Sequence, residues 1–148
     1  MKANFRRLTI LVCCAALSTL LSACVTERHD ALRSSAASLD RASAHFLSQM
    51  RYQGDDVRRD RLGRDAEVMA RYAHKLDADV DRGEPHAVLA DDYRQVEDSY
   101  EELHRQLADE GYAEQDRMVL EDFDRVTTAY RDVQSAMVTR TADIGLRR

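Results

Sequence analysis

Three runs of apolar residues in this chain step by four and three in strict alternation, and that spacing leaves little choice of fold. Leu62, Ala66, Met69, Ala73, Leu76 and Val80 form one run, and Leu89, Tyr93, Val96, Tyr100, Leu103 and Leu107 a second. The third is Val119, Phe123, Val126, Tyr130, Val133 and Met137. A 4-3-4-3-4 step places every member on one side of an α-helix, as in the seam of helices packed side by side. Upstream, Leu32, Ala36, Leu39, Ala42, Phe46 and Met50 lie on one face less regularly, with Ser35 and Ser43 intruding.

Helix-stopping residues fall between the runs. Gly54-Asp55-Asp56, Gly83-Glu84-Pro85 and Glu110-Gly111-Tyr112 predict three short joints. Asp55 or Asp56 can cap the second helix by accepting from first-turn N–H groups. Gly83 can adopt the left-handed conformation that ends a helix, and Pro85, the sole proline, suits the first turn of the next. Helices are expected at about 31–53, 56–82, 85–110 and 113–143, each roughly 35–45 Å long at 1.5 Å per residue. Joints this short make successive helices antiparallel, so the expected fold is all-α, an up-down-up-down four-helix bundle over residues 31–148. Acid-before-base pairs at i,i+4, such as Asp60 with Arg64 and Glu121 with Arg125, suit solvated faces.

The first 24 residues have a separate logic. Lys2, Arg6 and Arg7 make a positive beginning, and Leu8 to Leu20 an apolar stretch too short to span a bilayer comfortably, which together read as an export signal. The segment closes on Leu21-Ser22-Ala23-Cys24. These residues resemble the lipobox of bacterial lipoproteins. The resemblance implies cleavage before Cys24, diacylation of its thiol and acylation of the new N-terminus. It covers residues 1–24 alone and carries no chemistry for the body. Cys13 and Cys14 lack the small residues that should precede such a cysteine. Residues 1–23 are then a signal peptide and 24–30 a lipidated end with a short tether. In Gram-negative cells Val25, rather than aspartate, after the cysteine implies sorting to the outer membrane, facing the periplasm. An arginine-rich basic set, with Lys2 and Lys75 the only lysines, suits a GC-rich source of that kind.

Removing residues 1–23 removes Lys2, Arg6 and Arg7 and no acid, which moves the formal net charge from −5 to −8. An acidic body argues against nucleic-acid binding, which needs basic residues to neutralise phosphates. With Cys24 acylated no free thiol remains, so packing alone must hold a body of 125 residues. Such a chain can bury roughly 65–70% of its unfolded surface, enough for one domain.

The expected topology has two ends. The membrane end holds both termini, the Gly83–Pro85 turn, and Arg147 and Arg148, which either touch anionic headgroups or complement the last helix dipole. Opposite, Tyr52, Asp55, Asp56, Glu110, Tyr112 and Glu114 offer tyrosines among acids, a candidate contact surface.

Other patterns are weaker. Glu101-Glu102-Leu103-His104 matches the Glu-x-x-His element of di-iron bundles, but in one copy and on the flank of its stripe. His45, Glu101 and His104 are the alternative's candidate metal ligands, and solvated side chains are the plainer reading. Asp77-x-Asp79-x-Asp81 departs from a calcium loop, with Gly83 one place late and Val88 where the closing Glu belongs. Met69 and Met137 read as core filler, and no haem-attachment motif, catalytic triad order or phosphate loop occurs. No cofactor and no enzymatic activity is expected. What remains is a lipid-anchored interaction or scaffold module with an envelope protein partner, engaged through an acidic helical face or the far-end turns. The alternative is a periplasmic binder of a small ligand or metal.

Overall fold

The computed structural model describes residues 29–51, 57–109 and 117–145. They form four helices: α1 over 29–51, α2 Val57–Asp81, α3 His86–Asp109 and α4 Arg117–Gly145. Side-chain contacts fix their arrangement. Arg33 near the start of α1 meets Asp81 at the end of α2 (2.6 Å), whereas Arg51 at the end of α1 meets Glu67 (3.4 Å). Lys75 pairs with Asp92 and Asp65 with Gln106 between α2 and α3. The Tyr93 and Tyr130 rings join α3 to α4, and the Phe46 and Phe123 rings, 5.6 Å apart, join α1 to α4. Each helix therefore runs opposite to both neighbours, and the molecule is an all-α, up-down-up-down four-helix bundle. Residue 29, the turn after α2 and the end of α4 share one end of it.

The joint between α2 and α3 shows how local chemistry ends a helix. Gly83 takes φ +71°, and its N–H donates to Val80 O while Glu84 N–H donates to Asp79 O, both at 3.0 Å. This pair of bonds satisfies carbonyls that the last turn would otherwise leave open, and a side chain at Gly83 would be strained there. Pro85 stands one residue earlier than the first-turn position expected of it. Its carbonyl accepts from Val88 and Leu89, so it caps the helix that begins at His86. Residues 52–56 and 110–116, with the other two joints and the candidate caps Asp55 and Asp56, lie outside the described residues.

The three regular seams form the core. All six α2 positions and all six α4 positions are buried. On α3, Leu89, Val96, Leu103 and Leu107 are buried, while Tyr93 and Tyr100 pack against the core with hydroxyls at its edge.

The first helix corrects the sequence reading. Ser43, at 2% exposure, occupies the buried seam position assigned to Ala42, which is only partly buried. Leu32, Ala36, Leu39, Ser43, Phe46 and Met50 then step 4-3-4-3-4 like the other helices. The irregularity lay in residue type, a hydroxyl at a core position, and not in geometry. Ser43 Oγ meets no hydrogen-bond partner among the described residues. Burying a hydroxyl without compensation costs about 1–3 kcal/mol. Ser43→Ala should therefore raise stability by about 1 kcal/mol, roughly 3–5 °C in melting temperature. A lower melting temperature by circular dichroism would show that the hydroxyl is satisfied.

Candidate functional site

The far-end surface Tyr52, Asp55, Asp56, Glu110, Tyr112 and Glu114 lies outside the described residues, as does Cys24. The alternative metal ligands do not come together. His45 is exposed on α1 with Nδ1 3.6 Å from Asp122 of α4, and Glu101 is exposed on α3. His104 sets its ring beside Tyr100 and Phe123, with centroids 6.0 and 6.3 Å apart. Among the described residues no three His, Cys, Asp or Glu side chains converge as metal ligands would. Residues flanking a seam on diagonal helices point away from the shared axis, which accounts for the separation of His45 from His104.

Sequence reasoning missed a second, polar seam on α3. Asp92, Ser99 and Gln106, seven residues apart, are all buried at the α2 interface. Asp92 takes Lys75 on Oδ1 while its Oδ2 meets no partner among the described residues, Ser99 donates to Val96 O at 2.9 Å, and Gln106 donates to Asp65 and, at 2.9 Å, to Glu102. Their heptad spacing was the available signal, hidden because polar residues beside an apolar stripe ordinarily mark a solvated flank.

The strongest electrostatic feature sits where this polar seam nears the Gly83 turn. Asp79 and Asp92 are 3% exposed, and Lys75, half exposed, bridges them, with Nζ 2.9 Å from Asp79 Oδ2 and in contact with Asp92 Oδ1. Arg82 also contacts Asp79. Across α2, Asp77 has its carboxyl held above the usual carboxylate value, first by burial and then by the like charges of Asp40 and Asp81, with His74 and Arg41 opposing. Its Oδ1 is buried and meets no hydrogen-bond partner among the described residues.

Aromatic rings line the opposite side of α3. Tyr100 stacks on Tyr130 (4.1 Å, 13°) and on Phe123 (5.6 Å, 9°), and Tyr130 stacks on Tyr93 at 6.1 Å. Tyr93 donates to the Tyr130 oxygen, and Tyr130 donates to Glu97 Oε1, both at 3.1 Å. Burial pushes both phenols above their ordinary value, and Glu97 adds to that shift. Both stay protonated at neutral pH and cannot serve there as a general base. The ladder is a packing device with its polar tips satisfied.

The surface is uneven in charge. α3 carries seven acids against two arginines, a formal −5, while α2 balances six acids with six bases. Between them lies a groove of about 260 Å³, lined by Asp65, Val68 and Tyr72 of α2 and by Gln95, Asp98, Ser99 and Glu102 of α3. Glu102 is engaged by Arg105 at 2.5 Å and by Arg61 at 3.7 Å. Hydrogen bonds from Gln106 and Arg105 hold its carboxyl below the ordinary glutamate value. Asp65 accepts from Gln106, and neither Asp65 nor Asp98 meets a cation among the described residues.

Compared with known proteins, the chain matches no family model, no curated protein and no solved structure. Among the described residues no helix is long and apolar enough to cross a membrane.

Two consequences can be measured. Removing the bridging cation leaves Asp92 without a cation and Asp79 with Arg82 alone, so Lys75→Met should cost about 1–3 kcal/mol in urea unfolding, below the roughly 3–5 kcal/mol of a fully buried pair because Lys75 is half exposed. Adding Asp92→Asn should restore at least half of that loss, and an unchanged midpoint in Lys75→Met would remove the cluster's structural role. Asp77 acts with the opposite sign. Because its native carboxyl holds a proton more tightly than the unfolded value of 3.8, its contribution is present below that pH and lost as pH rises through the native value. Asp77→Asn should thus melt higher than wild type at pH 7 and show no such gain below pH 3.8, and a variant less stable at pH 7 contradicts this.

Proposed function

We propose that this protein is a lipid-anchored interaction module of the bacterial cell envelope, held at Cys24 and engaging a protein partner through an acidic helical face. The observation that carries the reading is Leu21-Ser22-Ala23-Cys24 at the close of a positive-then-apolar leader. The acidic helix is α3, whose −5 is the greater part of the body's −8. Anchoring also fits the bundle's polarity. Residue 29 shares an end with the Gly83 turn and the end of α4, and the five residues 24–28 reach at most about 17 Å when extended. A body so tethered stays near its membrane with the length of its helices free for contact. Val25 supports placement in the outer membrane, facing the periplasm.

Metabolic labelling with an alkyne palmitate analogue, followed by membrane fractionation, tests this in a Gram-negative host. The full-length chain should be labelled and fractionate with outer membranes. Cys24→Ser should lose the label and retain its leader, and Val25→Asp should move the protein to the inner membrane. Label that persists in Cys24→Ser, or a wild-type chain without label, would overturn the anchored reading.

A further inference from the structure

The α2·α3 groove joins two features that separately say little. Val68 and Tyr72, one helical turn apart and both partly buried, supply its apolar lining. Asp65 and Asp98 flank that lining from opposite helices, and neither carboxylate is compensated by a cation among the described residues. Glu102, also in the lining, is already engaged by Arg61 and Arg105, which leaves Asp65 and Asp98 as the groove's carboxylates without a cation among the described residues. Arg71, next to Tyr72 in the chain, sets its guanidinium carbon 5.6 Å from that ring's centroid.

An apolar lining with two acids at its margins, neither paired with a cation and one of them holding a neutral Gln106 donor, complements one kind of side chain. Lysine and arginine lay an aliphatic stem along apolar surface and keep a charged head at its edge. Size agrees. At about 260 Å³ the groove falls below the roughly 300–1,000 Å³ of small-molecule sites, yet has room for about nine waters or one long side chain. Charge excludes the other occupants. An anionic lipid headgroup would meet like charge, and a second copy would bring its own acidic α3 toward this one.

We propose that the α2·α3 groove seats an arginine or lysine side chain from a basic segment of a protein partner. This rests on the reading of the protein as an envelope interaction module and names the face and partner chemistry of that module. Val68 and Tyr72 hold the stem, Asp65 and Asp98 the head, and α3's remaining acids attract the rest of the segment at long range.

The test uses the full processed chain in neutral-detergent micelles at about 20 mM salt, where the Debye length exceeds the ~10 Å found at 0.1 M. The probes are a fluorescein-labelled peptide, Gly-Leu-Arg-Leu-Arg-Gly, and a counterpart with both arginines replaced by glutamate, followed by fluorescence anisotropy. The arginine peptide should bind and the glutamate peptide should not. Asp98→Lys, which places a cation in the groove, should weaken binding by at least about tenfold, since like charges oppose each other there. Asp124→Lys, the same charge change on exposed α4, should alter it by less than about twofold, with both variants checked by melting. Equal binding of the two peptides overturns the proposal, as does equal weakening by Asp98→Lys and Asp124→Lys, which would reduce the effect to net charge. Self-association of the wild type that Asp98→Lys abolishes would also overturn it, in favour of a second copy. Palmitate labelling separates the two readings: labelled protein without peptide binding removes the groove alone, and binding by unlabelled protein removes the anchor alone.

Discussion

Lys75 lies between two carboxylates that have almost no contact with water, and much of the bundle's specificity depends on that placement. Hydrophobic seams supply the drive to assemble, yet a seam repeated on four helices is compatible with several registers and pairings. A buried Asp79 and Asp92 favour the register of α2 against α3 that puts both acids on the same ammonium, since a slipped register would bury them without it. Gln106 with Asp65 adds a second polar contact farther along the same interface. Gly83 closes the joint between these helices within a few residues of Asp79, so turn and register are set together. Lysine is otherwise absent after Lys2, and here its flexible stem aims one compact charge at an oxygen of each carboxylate.

Partners differ around the bundle because each helix carries two interfaces on one seam. α3 presents its polar heptad, Asp92, Ser99 and Gln106, to α2 and its tyrosines to α4. The first interface is directional and costly to mismatch, and the second is a stack of flat rings whose hydroxyls are tied off at Glu97 and Thr127. A chain without a disulfide in its body can thus fix one topology through packing and a few buried polar contacts. Not every polar residue serves that end. Ser43 is buried and Asp77 partly so, each with a buried oxygen that finds no partner among the described residues, and both burden the native state at neutral pH.

What the sequence made legible follows from how each signal is written. Seams of α2, α3 and α4 were readable because their residues are apolar and their spacing is unambiguous, and Gly83 was readable because only glycine enters its conformation cheaply. The α1 seam was misread at Ala42 because a serine occupies the core position beside it. The α3 polar heptad showed only as a spacing that a solvated flank would share, because burial of Asp92 depends on Lys75 of another helix. The groove is the same case at the surface. Val68 and Tyr72 lie outside the α2 seam, and only the pairing of α2 with α3 sets them between Asp65 and Asp98.

On the proposed anchoring, distance gives the groove an independence that its charge alone would not. Asp98 lies twelve residues into α3 from the end shared with the tether, about 18 Å along the axis. Charge is screened over about 8 Å at physiological ionic strength, so charges at the tether end of the bundle act only weakly on a carboxylate that far along α3. Affinity there is then set locally, by two carboxylates and the apolar strip between them. The groove opens on the side of the bundle between α2 and α3, so a partner's basic segment can enter it across the helices without displacing the tether at their end.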